Sequence, residues 1–373
     1  MSAGVRRWEY GSEFDWPRWS ERPSGAILPE PAALFASGRD AIAALMHQGR
    51  QRFGWRRWFL PSYFCPEVAA AVRAAGIETV VYDDSPCRPA PVPPNEPFRR
   101  GDVFFLVNYF GLRTQMAADL DLGPAVLVED HTHDPWSPWA RTSRAAWCIA
   151  SLRKTLPISD GAALWSPQRL PLPPSPPITS ERYAAALAKQ TAMGLKRLYL
   201  DGGEVDKQAF RRLQMQGEER IAGGAISGIS PWTAALLPKL PWDAWRASRI
   251  ENFRVLSDAL ANMPVLVPAE AGAPAPLAVV LQFDRGELRD RVRAALIAAS
   301  MYPAVHWPMP SSDRTEAAAL SRRLLSLPCD FRYGAADLQR VAAVVRESLA
   351  NRGDRPPQEI RSGDAHGRAL ARA

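Results

Sequence analysis

Lysine is nearly missing from this sequence. Of its 46 lysines and arginines only five are lysine, namely Lys154, Lys189, Lys196, Lys207 and Lys239, so almost every cation is a guanidinium that keeps its proton under ordinary conditions. The first lysine arrives in SLRKTLPISDG (151–161). There an amine, unlike a guanidinium, can be desolvated, lose its proton and attack a carbonyl. Cysteine is scarce as well: four residues lie far apart with no CxxC pair, which excludes a disulfide framework. With only five histidines a zinc ribbon is excluded too, and no metal-ligating set is read from the spacing. The expected thiols are reduced and mostly buried.

Long apolar runs are absent. VFFLV (103–107) and APLAVVL (275–281) are far too short to span a bilayer, and MSAGVRRWEYGSEFDW lacks the uninterrupted apolar core of a signal peptide. The expected location is the cytoplasm, without membrane association. The net charge of +7 comes from scattered arginines rather than a basic run, and no nucleic-acid module signature occurs. Nucleic acid is therefore not an expected partner, whereas a basic groove for an acidic small molecule stays open.

What is present is a chain of 373 residues, 47% hydrophobic and 23% charged, enough to bury a large core and divide into two domains. Apolar spacing after 32 predicts a first helix to 49. Residues 55–86 read as strand, turn, alanine-rich helix and strand, a βαβ unit. GDVFFLVNYFG (101–111), GPAVLVEDHTHD (123–134) and RAAWCIASLRK (144–154) repeat that rhythm, each apolar strand giving way to polar residues. In open parallel sheets ligands gather at the carboxyl ends of the strands, so Asn108, Asp130, His133, Ser151 and Lys154 are expected to converge. A proline-dense loop (166–180) leads to helices over about 180–220 and a long helix over about 231–262. Strands at 264–267, 276–283 and 302–307, helices at 285–299 and 314–325, a short strand near LLSLPCD and a last helix at 335–350 follow. The expected divisions are an arm (1–30), a large α/β domain with a mostly parallel sheet (31–240), a bridging helix with a smaller α+β domain (241–350) and a disordered tail (351–373).

Three features carry chemistry. An aspartate ending a buried strand, Asp130 in VLVEDHTHD, is costly unless a cation pairs with it; a helix cap or an arginine partner would serve, and so would the ring nitrogen of pyridoxal phosphate, which an aspartate keeps protonated. Lys154 follows the next strand, with a hydroxyl at Ser151 three residues earlier. In FASGRDAIAALM a small turn opens a helix, where Ser37, Gly38 and Arg39 either cap the helix or hold a phosphate on its free N–H groups.

The order FASGRDAIAALM, LPSYFCPEVAAAVRAAGIETVVYDDSP, VNYFG, VEDHTHD, SLRKTLPISDGA, with TAALL, YPAVHWPMP and SRRLLSLPCDFRY further on, resembles the DegT/DnrJ/StrS family of pyridoxal-phosphate aminotransferases from about 30 to 345. The resemblance implies the type I aminotransferase fold, a homodimer with active sites near the subunit interface, and transfer of an amino group from an amino acid, usually glutamate, to a nucleotide-linked ketosugar. It implies that Lys154 holds the cofactor as an imine and shuttles a proton, and that Asp130 pairs with the pyridinium. His133 lies near the ring substituents, Ser37, Gly38 and Ser151 contact the phosphate, and Tyr63 or Phe64 stacks on the ring unless it belongs to the core. His306 falls near the substrate or is structural, and Asn108 is placed on the substrate side. A lysine rather than the histidine of dehydrating relatives implies aminotransfer over C–O cleavage. Alternatives are a cofactor-binding regulator without catalysis, or an elimination or decarboxylation enzyme. The chain departs from the pattern at His131 and Thr132, where the family has two alanines, in SLRK and SDGA, and in lacking a counterpart in 223–230 of the asparagine that reaches the neighbouring subunit's phosphate.

Overall fold

The computed structural model describes residues 5–25, 28–88, 90–94, 96–113, 120–221, 224–266, 274–309 and 315–350; the expected tail and parts of the expected arm and of YPAVHWPMP lie outside them. A seven-stranded sheet is built from β2 (Ala32–Phe35), β3 (Arg57–Pro61), β4 (Glu78–Tyr82), β5 (Asp102–Val107), β6 (Val126–Asp130), β7 (Trp147–Ser151) and β8 (Ala162–Trp165) in the order β2-β8-β7-β6-β5-β3-β4. β8 runs against both neighbours, and the other pairings are parallel. β5 is buried at every position, as a parallel strand covered on both faces must be. Aromatics fill the layer beside it: Trp58 stacks on Phe105 at 5.6 Å, and Trp55 meets Trp147 edge-on at 5.4 Å.

The helices of this layer start where capping chemistry permits. α1 (Gly38–Gln48) opens on Ser37, whose hydroxyl accepts from the Asp40 N–H, and α2 (Pro66–Ala74) has proline at its first position. The expected helix over 32–49 is thus corrected in its first turn. Residues 32–35 pair with β8, because an edge position beside 162–165 satisfies their backbone. α3 (Pro138–Thr142) sits between β6 and β7, and the long hairpin of α4 (Ser180–Leu200) and α5 (Lys207–Ile221) follows the proline-dense segment.

The single helix expected over 231–262 is two. α6 (Pro231–Leu236) ends in a tight turn at Leu237–Lys239, and α7 (Trp242–Ala259) restarts after Pro241. Pro238 and Pro241 cannot donate the hydrogen bonds that a continuous helix needs.

A second sheet of three antiparallel strands, in the order β12-β10-β9, joins β9 (Val265–Leu266), β10 (Ala278–Gln282) and β12 (Leu324–Pro328), with α7 and α8 (Gly286–Ala298) against it and α10 (Ala335–Ala350) packed on those two helices. The strand expected at 302–307 is only β11 (Met301–Tyr302), and it pairs with β1 (Tyr10–Gly11) near the start of the chain. α9 (Glu316–Ser321) is shorter than the expected 314–325, since Leu324 and Leu325 are claimed by β12.

Candidate active site

The carboxyl ends of β3, β5, β6 and β7 put the candidate residues on one rim. Asp130 is the last residue of β6, and Lys154 closes a short turn (Leu152–Lys154) directly after β7. The strands are in register as parallel neighbours, with Asp130 opposite Ile149, and the Ser151 N–H donates to the Thr132 hydroxyl at 3.0 Å. Asp130 accepts from the Thr132 N–H at 2.8 Å, and among the described residues no lysine or arginine pairs with it. Burial therefore raises its pKa, opposed by the hydrogen bonds from Thr132 and by His131.

Lys154 is half-buried. Burial, then the neighbouring Arg153 guanidinium, lowers its amine to about 8, while Glu218 and Cys65 pull the other way. At pH 7 about a tenth of such an amine is neutral, several hundred times the fraction for a solvated lysine. Glu218 was not foreseen from the sequence. Burial works to raise it, but Arg153, Lys189 and Lys154 outweigh that and hold it well below the usual carboxylate range. It accepts from Arg153 and, at 3.0 Å, from Lys189 of α4, which also reaches Glu13 at 3.1 Å. The one local signal for this network is Arg153 itself, adjacent to the lysine.

His133 lies near enough to Lys154 to feel its charge. Its Nδ1 accepts from the Phe110 N–H at 2.8 Å, and its ring stacks with Phe110 (5.5 Å) and Trp307 (6.0 Å). Burial, then His306 and Lys154, holds it well below the usual histidine range, so it is neutral. His306 approaches Ser326 through Nδ1 at 3.0 Å, and burial followed by Lys154 lowers it to about 3. Asn108 directly follows β5; its Oδ1 accepts from the Arg113 N–H at 3.2 Å, while its buried Nδ2 has no partner among the described residues. Tyr63 is fully buried with its hydroxyl on the His306 carbonyl oxygen, and Phe64 packs edge-on against Phe105.

The phosphate candidates separate. A Cβ added to Gly38 would meet Ser151 Cβ at 3.4 Å, so the start of α1 and the serine before the lysine turn do come together. The Ser37 hydroxyl is spent on Asp40, whose N–H it accepts and whose carboxylate it donates to at 2.5 Å. Arg39 turns to Glu67 at 3.0 Å.

These residues fit pyridoxal phosphate on three counts: a strand-end carboxylate without a cation, an orphaned amide donor at Asn108 Nδ2, and a helix start where glycine leaves room beside a serine hydroxyl.

No family model matches the chain, and no curated protein sequence does. Solved structures do. PseC of Helicobacter pylori, an aminotransferase involved in pseudoaminic acid biosynthesis, is 12% identical over 92% of this chain and 100% of its own, with a TM-score of 0.58. The aminotransferase TlmJ of Streptoalloteichus hindustanus is 17% identical over 86% of each chain, TM-score 0.56. DesV of S. venezuelae, solved with a ketimine intermediate, is 19% identical over 87% of this chain and 85% of its own, TM-score 0.51. What is common at such identities is architecture: the chain has the type I fold of pyridoxal-phosphate aminotransferases, an α/β fold around a mostly parallel sheet.

Proposed function

We propose that the protein is a pyridoxal-phosphate-dependent aminotransferase that moves an amino group from an amino acid, glutamate being the expected donor, to the keto carbon of a nucleotide-linked sugar. One observation carries the reading. A lysine amine lowered to about 8 and an aspartate without a cationic partner stand at the ends of adjacent parallel strands. The sugar acceptor is supported by neighbours of the same fold, including DesI, solved in the presence of its TDP-sugar product (18% identity, TM-score 0.52).

The cofactor, when bound, supplies an aldehyde for a lysine and a protonated ring that withdraws electrons from the substrate carbon. Every other part is the chain's own. Lys154 Nζ, neutral for part of the time at pH 7, attacks a carbonyl carbon. With the cofactor bound, its free amine would take and return the proton of the substrate carbon. Asp130 would keep the cofactor's ring nitrogen protonated. Gly38 at the start of α1 and the Ser151 hydroxyl hold the phosphate, and Asn108 Nδ2 donates on the substrate side. The wall of His133, Phe110 and Trp307 excludes water, with His306 next to it on the substrate side. The acting unit in this proposal is a homodimer, with each site near the subunit interface.

The protein loaded with pyridoxal phosphate should absorb at the blue edge of the visible as an imine, and glutamate should bleach that band. Lys154→Ala should lack the band while still binding the cofactor. Persistence of the band in that variant rejects the lysine assignment, and a spectrum that no amino donor changes rejects aminotransfer.

A further inference from the structure

We propose that Glu129, His131 and Cys148 form a structural zinc site on the face of the large sheet opposite Lys154. Side chains alternate along a strand, so Asp130 faces the active site while Glu129 and His131, on either side of it, face away. Cys148 comes from the neighbouring strand β7, where its backbone partner is Glu129. One ligand atom from each of the three residues lies within 4.8 Å of the others, and all three residues are fully buried. Among the described residues this is the single such group of three. Sequence spacing did not show it, because its members sit on two strands.

Hydrogen bonding alone leaves this cluster poorly satisfied. His131 Nε2 lies 2.9 Å from Glu129 Oε2. The Ser143 hydroxyl donates to the same oxygen at 2.6 Å, and Cys148 Sγ approaches it at 3.8 Å. Three groups thus crowd one carboxylate oxygen, while Glu129 Oε1 and His131 Nδ1 are buried with no partner. No lysine or arginine pairs with the carboxylate among the described residues; its one ionisable partner is His131, whose own Nδ1 is left buried and unpaired, so protonating the ring would only move the cost.

A divalent ion resolves this. A thiolate, an imidazole nitrogen and a carboxylate oxygen are the donors zinc takes, at about 2.3, 2.0–2.1 and 2.0–2.2 Å. Two anionic ligands cancel the charge of the ion, so the occupied cluster is neutral inside an apolar layer that includes Trp139 (4.9 Å from the His131 ring) and Trp165. Binding releases the thiol proton to solvent. Ser143, half-buried and 3.3 Å from Cys148 Sγ, is the member nearest solvent and stands where a fourth oxygen ligand would.

The test uses the full chain, expressed with zinc and dialysed. Elemental analysis should find about one zinc per chain. Cys87→Ser, which removes an exposed thiol, should keep it, and Cys148→Ser and His131→Asn should lose it. Refolding with cobalt(II) alone should give visible d–d bands and a near-ultraviolet thiolate charge-transfer band. Should the two variants fail to fold, this spectrum of the unsubstituted chain decides the matter. Folded protein without stoichiometric metal and without cobalt bands overturns the site, as does full zinc retention in folded Cys148→Ser. The Lys154 imine band reports the other face of the sheet and is read independently.

Discussion

At the scale of single residues, the chemistry rests on how burial and neighbouring charge set two protons. Lys154 has its amine lowered to about 8 from 10.5. Apoprotein mixed with pyridoxal phosphate should therefore form the imine faster as pH rises, with a midpoint near 8, and level off above it. Stopped-flow absorbance checks this, and a midpoint near that of free lysine would contradict the burial described. The same shift means that the unfolded chain holds more protons than the folded one between about 8 and 10.5. Lys154 thus contributes stability that increases with pH across that window. Asp130→Asn should retain the imine band but lower turnover by about two orders of magnitude or more, since a neutral amide does not keep a ring nitrogen protonated. Equal turnover would show that Asp130 faces something else. The positions of Asp130, at the end of one apolar strand, and of Lys154, just after the next, were legible in the sequence because the break from apolar to polar is a local signal. Cys65 and Glu218 were not, since their place near the lysine depends on elements far away along the chain.

At the scale of elements, the misreadings share one cause. The apolar residues at 32–35 suit a helix or a strand, and only the unpaired edge of β8, 127 or more residues later, decides for the strand. Pro238 and Pro241, by contrast, are local breakers that could have divided the 231–262 helix at once. The α4–α5 hairpin is held close by Gly217. A Cβ there would lie 2.4 Å from Lys189 Cγ and 3.1 Å from the Ala185 carbonyl oxygen. Gly217→Val should destabilise the protein by about 1–3 kcal/mol through forced separation of the two helices, read as a lower Tm. An unchanged Tm would mean that the hairpin gives way without cost. Glu218 is the next residue on α5, and Glu218→Gln removes the carboxylate that favours the Lys154 ammonium. The imine-formation midpoint should move below 8, with a stability loss of roughly 3 kcal/mol from Arg153 left without its carboxylate, Lys189 keeping Glu13. A midpoint moving upward would reverse the sign assigned to Glu218.

At the scale of the whole molecule, the N-terminal segment bridges the three-stranded sheet's side of the chain and helix α4. β1 pairs with β11, the Tyr10 hydroxyl donates to the Pro328 carbonyl oxygen, and the Gly11 N–H donates to the Tyr333 hydroxyl at 2.8 Å. A few residues on, Glu13 meets Lys189, its carbonyl oxygen accepts from Arg332 at 3.2 Å, and Asp15 meets Arg197 at 3.1 Å. Deleting residues 1–15 should lower Tm by several degrees and speed hydrogen exchange at Met301 and Tyr302; unaltered exchange there would show the pairing to be dispensable. None of this strap was legible beforehand, because a two-residue strand has no periodicity to read.

The pairing of Tyr10 with Met301 spans about 290 residues of chain. During synthesis the Tyr10 segment thus leaves the ribosome long before its partner, and it cannot find its place until Met301 and Tyr302 have emerged. Ribosome-stalled chains ending before β11 should leave the β1 segment open to protease, and chains extended past β12 should protect it.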